Sequence, residues 1–140
     1  EAMRALAGRP MSGDPEAMIA YAKKAAYIIG SPAYPPDPDR LDRRVRNDFE
    51  RAWYPPGFAR QMAAIVADGD RRAMLRTIKV PTLVIHGEDD PLVPMAGGED
   101  TARNISGARL MTIPGMGHDL PLALVDTLAD AVAEHVRGAG

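Results

Sequence analysis

Val80-Pro-Thr-Leu-Val-Ile-His-Gly-Glu-Asp-Asp-Pro-Leu-Val-Pro94 decides how the rest of this chain is read. Thr82-Leu-Val-Ile85 is short, almost wholly apolar and without alternation, the pattern of a strand covered on both faces in a parallel sheet. Pro81 fits only near the start of such a strand. An acidic loop, Glu88-Asp-Asp90, follows and is stiffened by Pro91 and Pro94. A second strand, Ala108-Arg-Leu-Met-Thr-Ile113, runs into Pro114-Gly-Met-Gly-His-Asp-Leu-Pro121. Residues from about Glu99 to Ile105 read as a helix between the two strands. A last helix runs from about Leu122 to Val136, with Leu124, Val125, Leu128, Ala131 and Val132 apolar and Gly138 beyond it. Strand–helix–strand–helix implies a right-handed crossover and parallel pairing, so the class is α/β. Asp90 and His118 then stand in loops past the same ends of neighbouring strands, where open α/β sheets carry their chemistry.

Upstream the chain is helical. Asp14-Pro15 is a helix cap followed by proline at the first helical position. Met18, Tyr21, Ala22, Ala25, Ile28 and Ile29 recur at helical spacing behind it, and Gly30-Ser31-Pro32 ends that helix. Pro32-Ala-Tyr-Pro-Pro-Asp-Pro38 is stiff and suits neither helix nor sheet. Asp37-Pro38 repeats the cap. Leu41, Val45, Phe49 and Ala52 form the narrow stripe of a second helix, and its charges from Arg40 to Arg51 read as a solvated face. Trp53-Tyr-Pro-Pro-Gly57 breaks it. Phe58, Met62, Ile65 and Val66 mark a third helix, stopped by Gly69, and a short fourth segment spans Arg71 to Ile78. Residues 1–55 therefore read as a helical segment, and 56–140 as the end of an α/β core.

The 140 residues carry 17 basic and 19 acidic side chains, a net charge of −2, and no cysteine. A balance so near zero offers no basic face for nucleic acid and no pull toward an anionic membrane. No apolar run approaches the ~18 residues of a membrane span, and cytoplasm is the default location. The missing thiols exclude cysteine catalysis and thiolate metal sites. Glu1-Ala-Met-Arg-Ala-Leu-Ala-Gly-Arg-Pro10 is neither a signal peptide nor an initiator sequence. The expectation is a chain entered in the middle. Two strands alone make a marginal sheet, which agrees with the second half of a larger one.

The two loops carry a family resemblance. Pro81 to Pro94 followed by Pro114 to Pro121 resembles the C-terminal part of an α/β-hydrolase, nearest to the cap-bearing esterase and haloperoxidase-like branch. The likeness is strong from about residue 70 onward. It implies that Asp90, third after Gly87, is the acid of a triad. It also implies that His118, closing Gly115-Met-Gly-His118, is the base, and that the N-terminal helices are a cap. Physical chemistry agrees: an imidazole base needs an acceptor on Nδ1 to fix its tautomer, leaving Nε2 to move the proton. The resemblance also requires a Gly-x-Ser-x-Gly elbow and an oxyanion loop. Ser12, Ser31 and Ser106 lack that setting, so the nucleophile is expected in a missing N-terminal half of a protein about twice as long. The implied activity is cleavage of a small-molecule carboxylic ester by a Ser-Asp-His triad, with no cofactor. An Asp nucleophile would make the protein a dehalogenase or epoxide hydrolase instead. A non-catalytic ligand binder on the same fold and a self-contained helical interaction module are further alternatives.

Other polar residues have simpler readings. Asp89 is expected to serve its own turn, Asp119 to cap the last helix, and His86 to pack behind the site. His135 suits a helix C-terminus, where a cation meets the macrodipole. Glu88-Asp-Asp90 with Glu99-Asp100 lacks the alternating ligands of a calcium loop, so no metal is expected. Tyr21, Tyr34, Trp53 and Tyr54, with Tyr27, concentrate in the helical segment. They wall an acyl pocket or simply pack helices, and the residues alone favour neither.

Overall fold

A computed structural model of the protein describes residues 2–8, 14–52, 54 and 56–139. Five helices come first: α1 (Ala2–Ala7), α2 (Pro15–Ile29), α3 (Pro38–Arg51), α4 (Pro56–Asp68) and α5 (Arg72–Leu75). Strand β1 (Leu83–Gly87), helix α6 (Met95–Asn104), strand β2 (Arg109–Ile113) and helix α7 (Val125–Gly138) follow, with a 3-10 turn at Leu122–Leu124 before α7.

The caps read in the sequence are the caps of the structure. Asp14 accepts from the Glu16 amide at 3.0 Å, and Asp37 from the Arg40 amide at 2.8 Å. A proline begins each helix, where no amide hydrogen is needed. Gly69 ends α4 at φ +62°, a left-handed conformation that glycine adopts without steric cost. Ile19 of α2 meets Leu41 and Val45 of α3, with Ala22, Ala26 and Phe49 around them. The charges of α3 lie on an exposed or partly exposed face, as the sequence reading has it, but some of them are paired. Arg46 forms a two-pronged contact with Glu16, at 2.6 and 2.9 Å, and also reaches Asp42 at 2.8 Å. Lys23 meets Asp42 at 2.6 Å, so the same face fastens α3 to α2.

β1 and β2 pair in parallel, from Leu83 opposite Arg109 to Gly87 opposite Ile113. α6 packs on both strands. A second apolar cluster, Ile113, Met116 and Leu124 with Tyr34, Ile85, Met111 and Leu128 beside it, lies under the ends of the strands. His135 near the end of α7 reaches the Pro81 carbonyl at 3.3 Å, fastening the last helix to the start of β1. Among the described residues no helix is long and apolar enough to cross a membrane.

Several boundaries differ from the sequence reading. α1 was not foreseen, although its run Ala-Met-Arg-Ala-Leu-Ala consists of strong helix formers. It docks on α2, where the Tyr21 hydroxyl donates to the Ala5 carbonyl. α5 is one turn rather than the stretch from Arg71 to Ile78. α6 begins at Met95, four residues before the expected start, and takes in Gly97 and Gly98. Gly98 is needed there for space: a Cβ on it would stand 2.6 Å from His86 Nδ1. Asp119 caps nothing: α7 follows the 3-10 turn, with Leu124 at its cap position.

Leu41 is 2% exposed at the centre of the α2–α3 cluster, whereas Val66 on α4 is 78% exposed. Leu41→Ala should cost about 2–5 kcal/mol in denaturant unfolding. Val66→Ala should change it by less than about 0.5 kcal/mol. Equal effects would show that the α2–α3 contact is not where stability resides.

Candidate active site

The two loops past β1 and β2 are stitched together by the backbone before any side chain is considered. The Glu88 amide donates to the Ile113 carbonyl at 3.1 Å, continuing the ladder beyond the last strand pair. The Asp89 amide donates to the Met116 carbonyl at 3.0 Å. Gly87 lies so close beneath this crossing that a Cβ on it would stand 2.3 Å from the Met116 oxygen. Asp89 does not serve its own turn as expected; its Oδ2 reaches across and accepts from the Gly115 amide at 2.8 Å. Gly115 has φ +74°, the bend that sends the chain back toward the acid loop.

On this frame Asp90 Oδ2 lies 2.7 Å from His118 Nδ1. The other carboxylate oxygen, Oδ1, accepts from the amides of Leu92 and Val93, both at 2.8 Å. The Asp90 side chain is 6% exposed and that of His118 is 41% exposed. With the acid ionised, only a protonated Nδ1 can donate to it, which leaves Nε2 as the nitrogen able to accept a proton. His86, expected to pack behind the site, braces the acid loop and also lines the cavity over it. Its Nε2 donates to the Val93 carbonyl at 2.9 Å, so the residue whose amide holds Asp90 is itself held. Burial works to raise the Asp90 pKa; the Val93 amide, the His118 imidazole and the Leu92 amide together outweigh it. The carboxyl is therefore held below its ordinary value.

A cavity of about 380 Å³ opens over this pair, lined by Ile85, His86, Val93, Met116 and Leu120 as well as Asp90 and His118. A neighbouring crevice of about 370 Å³ shares His118, Asp119 and Leu120, with Ile29, Pro36 and Arg44 on its helical side. The candidate aromatic residues are placed elsewhere. Tyr21 lines a separate apolar cavity of about 400 Å³ among the helices, together with Met18, Ala25, Phe49 and Phe58. Tyr34 donates to the Pro114 carbonyl at 3.3 Å and packs on the Ile113 cluster. Tyr54 is 52% exposed, with the Arg60 guanidinium 5.4 Å from its ring centre. Trp53 lies outside the described residues. Ala26 and Ile29 line both the helical cavity and the crevice beside His118.

Sequence reasoning missed Ser31 and Asp119 as partners. Ser31, 3% exposed, donates its hydroxyl hydrogen to Asp119 Oδ1 and accepts from the Gly117 amide at 2.9 Å. Nothing local in Gly30-Ser31-Pro32 signals this beyond a serine at a helix stop.

The family model of the TAP-like proteins, an α/β-hydrolase family, matches residues 60–138, and the chain belongs to that family as a C-terminal part of an α/β-hydrolase. Rhodomycin D methylesterase DnrP of Streptomyces peucetius is 41% identical over 69 residues, which are 49% of this chain and 23% of that protein. The human serine hydrolase BPHL is 31% identical over 137 aligned positions, covering 79% of this chain and 47% of its own length. An esterase from Exiguobacterium antarcticum superposes with a TM-score of 0.70 at 22% identity, over 97% of this chain and 47% of that structure. The chain thus spans less than half the length of these relatives. The curated relatives that this chain matches include proteins named as an esterase, a haloperoxidase and a serine hydrolase.

The low pKa of Asp90 has a consequence for acid stability. A carboxyl held below its ordinary value of about 3.9 contributes stability in full above that value and loses it as pH falls through the lower folded value. Denaturant unfolding between about pH 5 and pH 2 should therefore weaken less steeply in Asp90→Asn than in the unmodified protein. Parallel profiles would show that the carboxylate is not held as described.

Proposed function

We propose that the whole protein is a serine hydrolase cleaving a carboxylic ester, and that this chain supplies the acid and the base of its triad. The observation that carries this reading is the 2.7 Å contact between Asp90 Oδ2 and His118 Nδ1 at the rim of β1 and β2. In the reaction a serine outside these residues attacks the ester carbonyl. His118 takes the serine proton at Nε2 and returns it to the leaving alkoxide. Asp90 holds the imidazole in the tautomer that can do this and stabilises it once charged. Water then repeats the sequence on the acyl-serine, with His118 again as base.

The remaining sheet belongs to the same proposal. Val84 and Ile85 are half-buried and Leu110 is 37% exposed, in strands of a kind normally covered on both faces. Further strands from the N-terminal half would extend the sheet, and the helices of their crossovers would cover its faces. In this reading residues 1–55 form the cap and 56–140 the end of the core. The helices of residues 1–55 restrict the shape of the substrate, and of the candidate aromatics Tyr21, which lines the cavity among those helices, is the one placed to wall an acyl group. The relatives named as esterases favour an ester as substrate.

The test uses the full-length protein and a panel of p-nitrophenyl and methyl esters. Turnover and labelling of a single serine by a fluorophosphonate are expected. Asp90→Asn should lower kcat about 10⁴-fold, and His118→Ala about 10⁶-fold. A protein that labels at no serine, or whose Asp90→Asn variant turns over normally, would end the serine-hydrolase reading. Labelling failure with retained dehalogenation or epoxide opening would point to an aspartate nucleophile.

A further inference from the structure

The C-terminal end of α2 and the residues after it hold the histidine loop through contacts separate from that of Asp90. Ser31 is buried, and its single hydroxyl bridges Asp119 Oδ1 and the Gly117 amide, the residues on either side of His118. The His118 amide itself donates to the Ile29 carbonyl at 2.8 Å, and the Ala33 amide donates to the Gly115 carbonyl at 3.2 Å. The approach is so close that a Cβ on Gly117 would stand 2.3 Å from the Gly30 carbonyl oxygen. A loop with glycines at 115 and 117 is conformationally permissive and does not hold its own shape. Asp90 fixes the imidazole ring at Nδ1, but a ring bond cannot fix the backbone from which the ring hangs. Asp89 restrains that backbone at Gly115 and Met116, and from Gly117 to Asp119 the restraint comes from residues 29–33.

We propose that Ser31 and Asp119 are positioning residues for His118. They lock its backbone to the end of α2, so the helical segment sets where Nε2 stands in the crevice that Ile29 also lines. The hydroxyl–carboxylate bond suits this task because a charged acceptor strengthens it. Burial of Ser31 also makes it costly to break without a replacement partner. The inference rests on the hydrolase reading for its kinetic readout only.

Ser31→Ala, Asp119→Ala, the double variant and Asp119→Asn, all in the full-length protein, test it. Ser31→Ala and Asp119→Ala should each lower kcat about 10- to 100-fold, with KM within about twofold, since misplacing a base costs rate more than binding. The double variant should be no worse than either single one, because both break the same latch. Asp119→Asn keeps an acceptor oxygen for Ser31 and should retain most of the rate. The low-field proton resonance of His118 Nδ1 needs no substrate; it should shift or broaden in the two alanine variants and persist in Asp119→Asn. Lower melting temperatures with kcat and this resonance unchanged would reduce the pair to a structural contact and overturn the proposal. Losses that simply add in the double variant would do the same. If Ser31→Ala does not fold, Asp119→Ala, at a half-buried position, carries the comparison alone. A full-length protein that hydrolyses no ester defeats the hydrolase reading, while the proton resonance still decides this one.

Discussion

One carboxylate accepting three hydrogen bonds from two separate loops is the constraint on which the rim of this sheet depends. Asp90 takes the Leu92 and Val93 amides of its own loop on one oxygen and the His118 imidazole on the other. The first two bonds close the acid loop on itself, and the third ties it to its neighbour. A buried carboxylate without such partners would cost several kcal/mol or take up a proton. With them it stays ionised below its ordinary range. The local turn therefore does more than support the acid: it keeps the charge that orients the imidazole.

The pair is held from two sides by different means. On the sheet side the restraint is backbone pairing, continued from the β-ladder by the Glu88 and Asp89 amides. On the helical side it is the meeting of residues 29–33 with the glycines of the histidine loop. Two apolar clusters lie behind these contacts, one between α2 and α3 and one under the strand ends. Tyr34 packs on the second and bonds to Pro114, so the proline-rich turn after α2 rests against the histidine loop as well. Movement of α2 relative to the strands would thus be felt first at His118.

The legible and illegible parts of this molecule divide by range. Asp14, Asp37, Pro15, Pro38 and Gly69 announce helix ends because caps act within one turn, and the structure places them so. Thr82-Leu-Val-Ile85 and Arg109–Ile113 announce parallel strands because apolar composition reflects what covers a strand. The Asp90–His118 contact was legible through topology, since two loops past parallel neighbours must share an edge. The first turn of α6 was not legible: Gly97 and Gly98 lower helix propensity, yet Gly98 makes room there for His86. Ser31 with Asp119, and Arg46 with Glu16, left no local trace. Such pairs join elements whose relative placement is fixed only by tertiary packing, and each residue alone has an ordinary local role to play.

The difference in exposure between the two partners bears on their roles without reference to any third group. A charge sealed from water orients strongly because little solvent competes for it, but it meets no ligand. Asp90, 6% exposed, is in that position, whereas His118, 41% exposed, presents its ring to the crevice. In the function proposed above the pair has a direction: the acid orients the base, and the base faces the crevice. A merely structural ion pair has no need of this asymmetry, and both partners could be equally covered. A base that must pass a proton outward does need it, which agrees with the function proposed above.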